Sequence, residues 1–191
     1  MTGVRVAGAG DLARLVRTAT RAFADDPVLR WFFPSDAEYA ASAPAAFAQI
    51  GARSIALGCA YVTADVVATG MYLPPGRADI PAAEPAAPGE MPADLAERFA
   101  TFGRVKDEHT PAEPHWYLNV LATHPDWQRQ GLGSAIIAPV ADRCRTEGLP
   151  LYLETETVAN VAYYRHLGFD VRSEWDVPPD GPHMWGMILR P

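Results

Sequence analysis

Hydrophobic and polar residues in the first half of the chain follow first a helical period and then the pattern of strands. Asp11 is placed as an N-cap, and the apolar residues that follow it at helical spacing predict a first helix: Leu12, Leu15, Val16, Ala19 and Phe23. Asp25-Asp26-Pro27 ends this helix, because proline disfavours helical geometry in the residue before it. The other elements predicted here are a strand at 4–7, a helix at 39–57 and strands at 59–64 and 66–73.

The second half of the chain alternates strands with helices. Leu95, Phe99, Phe102 and Val105 mark a helix. Strands are predicted at 116–123, 151–155, 169–177 and 183–189, with helices at 131–147 and 159–167. A strand–helix–strand unit implies a parallel pair joined by a right-handed crossover, and the two closing strands pair antiparallel. The prediction is therefore one α/β domain over residues 1–191 with a mixed sheet, in which the proline-rich stretch 74–92 is a mobile loop.

Composition and charge exclude several classes of protein. The chain carries 16 basic and 23 acidic residues and has no lysine or arginine run, which disfavours a nucleic-acid partner. No apolar stretch is long enough to cross a membrane, and no signal peptide is visible. The two cysteines, Cys59 and Cys144, fit a reducing cytoplasm, which is the expected location. The five histidines form no metal-binding pattern, so no metal is expected.

The segment between the strand at 116–123 and the helix that follows is the most informative part of the chain. The first turn of a helix has backbone N–H groups without intrahelical partners, and the helix dipole adds partial positive charge there. Gly131 and Gly133 let the backbone approach a bulky anion without a Cβ in the way. The segment therefore predicts a cradle for phosphate groups.

Three phosphate-binding motifs compete for this segment. A P-loop requires a lysine followed by serine or threonine after its second glycine, and that pair is absent. A dinucleotide fingerprint requires a third small residue where Ile136 stands, and too little chain follows for a second nucleotide-binding half. The third motif is the Gln/Arg-x-x-Gly-x-Gly/Ala turn that holds the diphosphate of coenzyme A. Gln128, Gly131 and Gly133 match it at every defined position.

These motifs resemble the GNAT superfamily of N-acetyltransferases. Asn160, Tyr164, Gly168 and Phe169 are similar to its second signature, an asparagine followed by a Tyr-x-x-x-Gly-Phe ending, and several short segments resemble the puromycin N-acetyltransferase type. The resemblance implies a mostly antiparallel sheet in which one parallel strand pair splays apart between flanking helices. It also implies acetyl-CoA as co-substrate and the amine of a small molecule, an antibiotic or a metabolite, as acceptor.

The resemblance also assigns roles to individual residues. Backbone groups of Leu121 and Thr123 would pair with the pantetheine arm, Asn160 would steady that arm from the far side, and Tyr164 would lie near the thioester sulfur. The residues whose N–H groups would hold the diphosphate are Gln128, Arg129, Gln130, Gly131, Leu132, Gly133 and Ser134. Pro139 interrupts the helix that follows the turn and predicts a kink there.

Amide formation from a thioester requires a neutral amine, a polarised carbonyl group and a proton for the leaving thiolate. Glu154 is the first candidate for the base, because it follows apolar residues on a buried strand where an unpaired carboxylate is unfavourable; a strand-end acid that reaches solvent is the alternative. Asp25, Asp26 and His115 are weaker candidates, predicted as caps or surface groups. Backbone N–H groups of Val120 or Leu121 would stabilise the oxyanion.

Four functions stay open on the sequence alone. The first is direct transfer of an acetyl group to a small-molecule amine, with Tyr164 and Glu154 as catalytic residues and no covalent enzyme intermediate. The second is the same reaction on a protein N-terminus or lysine. The third is a module that binds acyl-CoA without catalysis, and the fourth is a nucleotide-dependent oxidoreductase. A homodimer is compatible with each of them.

Overall fold

A computed structural model describes residues 3–76 and 91–191, and this part of the chain contains one seven-stranded sheet flanked by helices. The strands are β1 (Val4–Val6), β2 (Ala60–Thr63), β3 (Ala68–Leu73), β4 (Trp116–Thr123), β5 (Leu151–Thr155), β6 (Asp170–Asp176) and β7 (His183–Leu189). The helices are α1 (Leu12–Ala22), α2 (Pro27–Phe32), α3 (Asp36–Ala56), α4 (Ala93–His109), α5 (Leu132–Glu147) and α6 (Val158–His166).

The strands lie in the order β1-β2-β3-β4-β5-β7-β6. β4 and β5 are parallel and every other neighbouring pair is antiparallel. The predicted α/β class with a mixed, mostly antiparallel sheet is therefore confirmed. The last strand, β7, lies between β5 and β6, so that β6 forms one edge of the sheet.

An extra residue in β4 changes which face of the sheet its side chains cover. Met71 pairs with Val120 and Tyr72 pairs with Leu118, which leaves Asn119 as a bulge. Trp116 and Leu118, before the bulge, pack with buried residues of α5 and α6, whereas Val120, after it, packs with α1 and α3. Since side chains alternate along a strand, one inserted residue is enough to exchange the two faces.

Two predictions for the first half of the chain need correction. The interpretation that Asp25-Asp26-Pro27 only ends the first helix is incomplete, because the same residues begin α2. Pro27 is the first residue of α2, and the Asp26 side chain accepts a hydrogen bond from the Leu29 N–H at 2.8 Å. The next helix begins at Asp36, not at 39, because Ser35 and Glu38 cap it reciprocally.

Aromatic side chains pack α2 against α4. The rings of Phe32 and Phe99 stack with their centroids 4.2 Å apart, and Phe102 meets Phe32 edge-on at 5.4 Å. The loop predicted at 74–92 has its residues 77–90 outside the described residues. Within the described ranges, no helix is both long and apolar enough to cross a membrane.

Candidate active site

β4 and β5 separate soon after they meet. Their parallel register consists of Trp116 with Leu151 and Tyr117 with Tyr152. β4 then continues to Thr123 against β3, and β5 continues to Thr155 against β7. The two strands therefore enclose a gap that widens toward their C-terminal ends, as the splayed pair was predicted to do.

The direction of the β4 backbone places Leu121 and Thr123 on this gap. The N–H of His124 donates to Val67, just before β3, at 2.8 Å. Because backbone groups of successive strand residues point to opposite edges, those of Leu121 and Thr123 point away from β3 and toward β5. The Thr123 carbonyl accepts a hydrogen bond from the Gln128 side chain at 3.2 Å, which fixes one end of the gap to the following turn.

The turn that follows β4 leads into the N-terminus of α5. Arg129 and Gly131 both have positive φ angles, 60° and 77°. The first i to i−4 bond of α5 runs from the Ala135 N–H to the Gly131 carbonyl at 3.0 Å. The N–H groups of Leu132, Gly133 and Ser134 therefore precede the helical ladder and have no intrahelical acceptor. They are available to an anion at the end of the gap.

The two glycines of this turn have different roles. Gly131 takes the left-handed conformation, and a Cβ built on it would meet nothing within 4 Å. A Cβ on Gly133 would lie 2.7 Å from the Tyr163 hydroxyl. That hydroxyl also lies 3.2 Å from the Ser134 Oγ. The absence of a Cβ at Gly133 therefore makes room for the Tyr163 side chain of α6. The sequence alone predicts only that it makes room for an anion.

α6 carries the two predicted residues on the other side of the gap. Its N-cap is Thr157, whose side chain accepts a hydrogen bond from the Asn160 N–H at 3.2 Å. Tyr164 is buried against Phe169, with ring centroids 5.5 Å apart. Burial, together with the nearby Glu156 carboxyl, raises the pKa of Tyr164 far above its ordinary value. Its phenol therefore stays protonated at neutral pH and can donate a proton.

Glu154 lies on β5 with one carboxylate oxygen bonded and the other unpaired. The Tyr117 hydroxyl donates to Glu154 Oε2 at 2.6 Å. Glu154 Oε1 is buried and has no hydrogen-bond partner among the described residues. A buried carboxylate oxygen without a donor is unfavourable unless a ligand supplies one. Burial and the Glu154 carboxylate raise the pKa of Tyr117 well above its ordinary value, so this hydroxyl remains a donor.

Tyr117 also lines a cavity on the α4 side of the sheet. The cavity has a volume of about 330 Å³, and its other lining residues include Gly76, Lys106, Asp107, Glu113 and His115. His115 is buried, not at the surface as predicted, and its Nδ1 lies 2.8 Å from the Glu113 carbonyl oxygen. One aromatic residue thus separates this cavity from the Glu154 carboxylate.

A second acid, Glu156, was not identified from the sequence. It follows Glu154 by two residues, beyond the end of β5, and burial together with the Asp26 carboxylate raises the pKa of its carboxyl group above the ordinary value. The Asn160 side chain donates to Glu156 Oε1 at 3.4 Å. The signal in the sequence is its position two residues after Glu154, because alternate residues of an extended segment share a face. Asp26, predicted as a cap or surface group, is indeed a cap but is also half-buried.

The model of the acetyltransferase (GNAT) family matches residues 28–169 of the chain. The chain belongs to the GNAT family. A protein named Acetyltransferase from Stachybotrys chartarum is 24% identical over 201 residues, which cover 94% of this chain and 85% of that protein.

Solved GNAT structures share the fold. One, described as histone acetyltransferase HPA2 and related acetyltransferase from Corynebacterium glutamicum, has a TM-score of 0.74 at 24% identity and covers 100% of this chain and 97% of that chain. The PaiA N-acetyltransferase from Thermoplasma acidophilum, solved in complex with coenzyme A, has a TM-score of 0.62 at 11% identity and covers 100% of this chain and 99% of that chain.

As a GNAT enzyme, the protein is an N-acetyltransferase that uses acetyl-CoA as co-substrate. Its own residues fit that molecule in two respects. The backbone of β4 faces an open gap where an extended pantetheine arm can pair with it. The first turn of α5 offers N–H groups without intrahelical acceptors at the end of the same gap. Among the described residues, no group of histidine, cysteine and acidic side chains could hold a metal ion.

Proposed function

We propose that the enzyme transfers an acetyl group from acetyl-CoA directly to the amine of a small molecule, with Glu154 as the base and Tyr164 as the acid. The observation that carries this proposal is the buried Oε1 of Glu154, which accepts no hydrogen bond from the described part of the chain. An ammonium group would supply the missing donor and would lose a proton to the same oxygen.

The coenzyme would be held by the residues that the sequence indicates. Backbone groups of Leu121 and Thr123 bind the pantetheine arm, and Asn160 steadies it from α6. The N–H groups along the turn bind the diphosphate; this turn consists of Gln128, Arg129, Gln130, Gly131, Leu132, Gly133 and Ser134. Acetyl-CoA supplies the acetyl group as a thioester, and the N–H of Leu121, which points into the gap, stabilises the negative charge that develops on its carbonyl oxygen.

Two side chains, Glu154 and Tyr164, then accept and donate the protons. Glu154 Oε1 takes a proton from the ammonium group, so that the nitrogen lone pair can attack the carbonyl carbon. Tyr117 keeps the other oxygen of Glu154 in place through its 2.6 Å hydrogen bond. Tyr164 donates its proton to the sulfur as the carbon–sulfur bond breaks, and the second proton that the nitrogen loses in becoming an amide restores the Tyr164 phenol. The amide and the free thiol of coenzyme A then leave, and Glu154 releases its proton to solvent.

Direct transfer is favoured over a covalent cysteine intermediate. Both Cys59 and Cys144 are buried and free. Burial raises the pKa of Cys144 to about 12 and also raises that of Cys59. Neither sulfur is therefore a thiolate at neutral pH, and a thiol is a poor nucleophile. Two free, buried thiols also support our proposal that the enzyme works in the reducing cytoplasm.

The cavity beside Tyr117 gives room for a small ligand next to the proposed site, and the Tyr117 ring separates it from the Glu154 carboxylate. Its volume of about 330 Å³ is in the range of sites that enclose small ligands. Two acidic side chains, Asp107 and Glu113, and one basic side chain, Lys106, line it, so its charge alone does not select a cation. The alternative acceptor is a protein N-terminus or lysine, and the alternative to catalysis is a module that only binds acyl-CoA.

The test is a thiol-release assay with acetyl-CoA over a panel of free amines, including puromycin, polyamines and amino acids, and over peptides with a free N-terminus or a lysine. We expect turnover with at least one free amine and slower turnover with the peptides. Glu154→Gln should lower kcat/KM at neutral pH by roughly 100-fold, and the loss should shrink at alkaline pH, where the amine is already neutral.

Tyr164→Phe should lower kcat by roughly tenfold or more and leave the affinity for coenzyme A within about twofold. Glu174→Gln, which removes an exposed acid of β6, is the control for net charge and should behave as wild type. Binding of coenzyme A without release of thiol from any amine or peptide would favour the binding module. Equal loss of coenzyme affinity and turnover in Tyr164→Phe would remove Tyr164 from the mechanism.

A further inference from the structure

The cavity beside Tyr117 is a second concave site, separate from the gap between β4 and β5. Residues from the C-terminal part of α4, from the loop that follows it and from the start of β4 line this cavity. Its volume of about 330 Å³ lies at the small end of the range for ligand sites. Tyr117 lines it, while the hydroxyl of the same residue is bonded to Glu154 at 2.6 Å. A ligand in the cavity therefore meets Tyr117 and not the Glu154 carboxylate.

Three charged side chains of both signs line this cavity. Lys106 and Asp107 belong to α4, and Glu113 belongs to the loop before β4. None of the three forms an ion pair or a side-chain hydrogen bond within the described ranges of the chain. The Lys106 ammonium group lies 5.1 Å from the centroid of the Tyr117 ring. One cation and two anions thus border the same small volume without neutralising one another, and a ligand that carries one charge of each sign complements them.

His115 lines the same cavity and has a ring nitrogen without a partner. Its side chain is buried, and its Nδ1 lies 2.8 Å from the Glu113 carbonyl oxygen. Because a carbonyl oxygen only accepts, Nδ1 carries the hydrogen, and in the neutral ring Nε2 is then an acceptor. Nε2 is buried and has no hydrogen-bond partner among the residues that the structure describes. A ligand that donates an N–H supplies the group that this nitrogen lacks.

The remaining lining residues carry no charge: Gly76, Thr110, Pro111, Ala112 and Pro114. We propose that the cavity binds a free α-amino acid with an apolar side chain, at a site separate from that of acetyl transfer. Lys106 binds the carboxylate of this ligand, and Asp107 and Glu113 bind its ammonium group. The Tyr117 ring and the two prolines pack against its apolar side chain. The inference goes beyond the proposed acetyl transfer, because this binding requires neither coenzyme A nor Glu154.

The test is a calorimetric titration of the whole protein with leucine in the absence of acetyl-CoA. Two analogues of leucine each lack one charge, since isoamylamine has no carboxylate and isocaproate has no ammonium group. Leucine should bind to a single site, roughly fivefold or more tightly than either analogue, because each analogue loses one of the two charge contacts. Equal affinities for the three compounds, or no heat of binding with leucine, would overturn the proposal.

Charge variants show whether the lining residues make these contacts. Lys106→Gln should lower the affinity for leucine to that for isoamylamine, and Asp107→Asn combined with Glu113→Gln should lower it to that for isocaproate. Arg104→Gln and Glu108→Gln are the matched controls, because they remove an exposed charge of each sign from α4 outside the cavity lining. Both should bind leucine as wild type does. A similar loss in the controls would assign the effect to net charge and refute the assigned contacts.

Glu154→Gln separates this cavity from the site of acetyl transfer. The variant should bind leucine with wild-type affinity, because the cavity ligand does not contact Glu154. Loss of leucine binding in Glu154→Gln would place the amino acid at the site of transfer and overturn the separate site. Normal leucine binding by a wild-type protein that releases no thiol with any amine or peptide would instead refute only the proposed function, so the two failures are distinguishable.

Discussion

Gly131 and Gly133 are separated by one residue, but substitutions at the two positions act on different parts of the molecule. Gly131 has a φ of 77°, so alanine there strains the backbone by about 1–2 kcal/mol while meeting no neighbour. Gly133 has no such strain, and its difficulty is the Tyr163 hydroxyl 2.7 Å from a new Cβ. The first substitution changes the shape of the turn, and the second pushes α6 away from α5.

We predict that Gly133→Ala lowers the affinity for coenzyme A by roughly tenfold and that Gly133→Ala combined with Tyr163→Phe recovers most of it. Removing the hydroxyl leaves the nearest contacts of the new Cβ at 3.6 Å, which is ordinary van der Waals distance. Calorimetric titration of the single and double variants measures this coupling. Gly131→Ala should not be rescued by Tyr163→Phe, and a rescue there would contradict the distinction.

At the scale of whole elements, side-chain hydrogen bonds hold the C-terminal end of α5 against the first residue of β4. This residue lies where β4 still pairs with β5. The indole N–H of Trp116 donates to Glu147 Oε2 at 2.7 Å, and Arg143 Nε donates to Oε1 at 2.7 Å. The Arg143 guanidinium also lies over the Trp116 ring, 4.5 Å from its centroid. This group holds α5 in place, and in the proposed function the N-terminus of the same helix binds the diphosphate.

Glu147→Ala should lower the free energy of unfolding by about 1–2 kcal/mol, because the buried Trp116 N–H then has no acceptor. Glu147→Gln keeps an acceptor for the indole and should lose less. Arg143 and Trp116 hold the pKa of Glu147 below its ordinary value, so its contribution is present above the ordinary pKa and disappears as the pH falls. Urea unfolding at neutral and acidic pH measures both effects; equal stability of all three proteins would contradict them.

Most elements are predictable from the sequence because their apolar period or their caps are local. The strands that form β4 and β5 and the helices α5 and α6 fall within one or two residues of their predicted bounds. α2 was missed because its six residues are too few for a helical period to show, and only Asp26 and Pro27 mark it. The position of β7 between β5 and β6 depends on contacts distant in sequence, which a local pattern does not encode.

The residues of the candidate site also fall into two groups, those that local spacing indicates and those that depend on contacts distant in sequence. Gln128, Gly131 and Gly133 lie within one turn, and Asn160 and Tyr164 lie on one helix, so their spacing alone indicates them. The effect of the Asp26 carboxylate on the pKa of Glu156 arises only when the chain folds, because the two residues lie far apart in the sequence.

On the scale of the whole molecule, carboxyl groups with opposite pKa shifts set the pH of greatest stability. Three carboxyl groups have lowered pKa values, caused mainly by hydrogen bonds: Asp11 from Arg5, Glu38 from Ser35 and Glu147 from Arg143. These groups stabilise the fold fully above the ordinary carboxyl pKa, and their contribution is lost as the pH falls. Glu156 has a raised pKa, so its contribution is complete below the ordinary glutamate pKa and is lost as the pH rises through the raised value.

We therefore predict a stability maximum at mildly acidic pH, between these two sets of titrations. Glu156→Gln should flatten the alkaline side and move the maximum upward in pH, because the amide has no proton to lose. Midpoints of thermal unfolding across pH measure this without any ligand. A wild-type maximum at alkaline pH, or an unchanged curve in Glu156→Gln, would contradict the raised pKa of Glu156.

The contact of Tyr163 with Gly133 also has a consequence for the divergence of related enzymes. The two positions share one small volume, so a methyl group gained at one requires an oxygen lost at the other. In homologues that carry alanine where this chain has Gly133, we expect phenylalanine or a smaller residue in place of Tyr163. Paired exchange at these positions in an alignment would therefore record the same steric limit that the double variant measures.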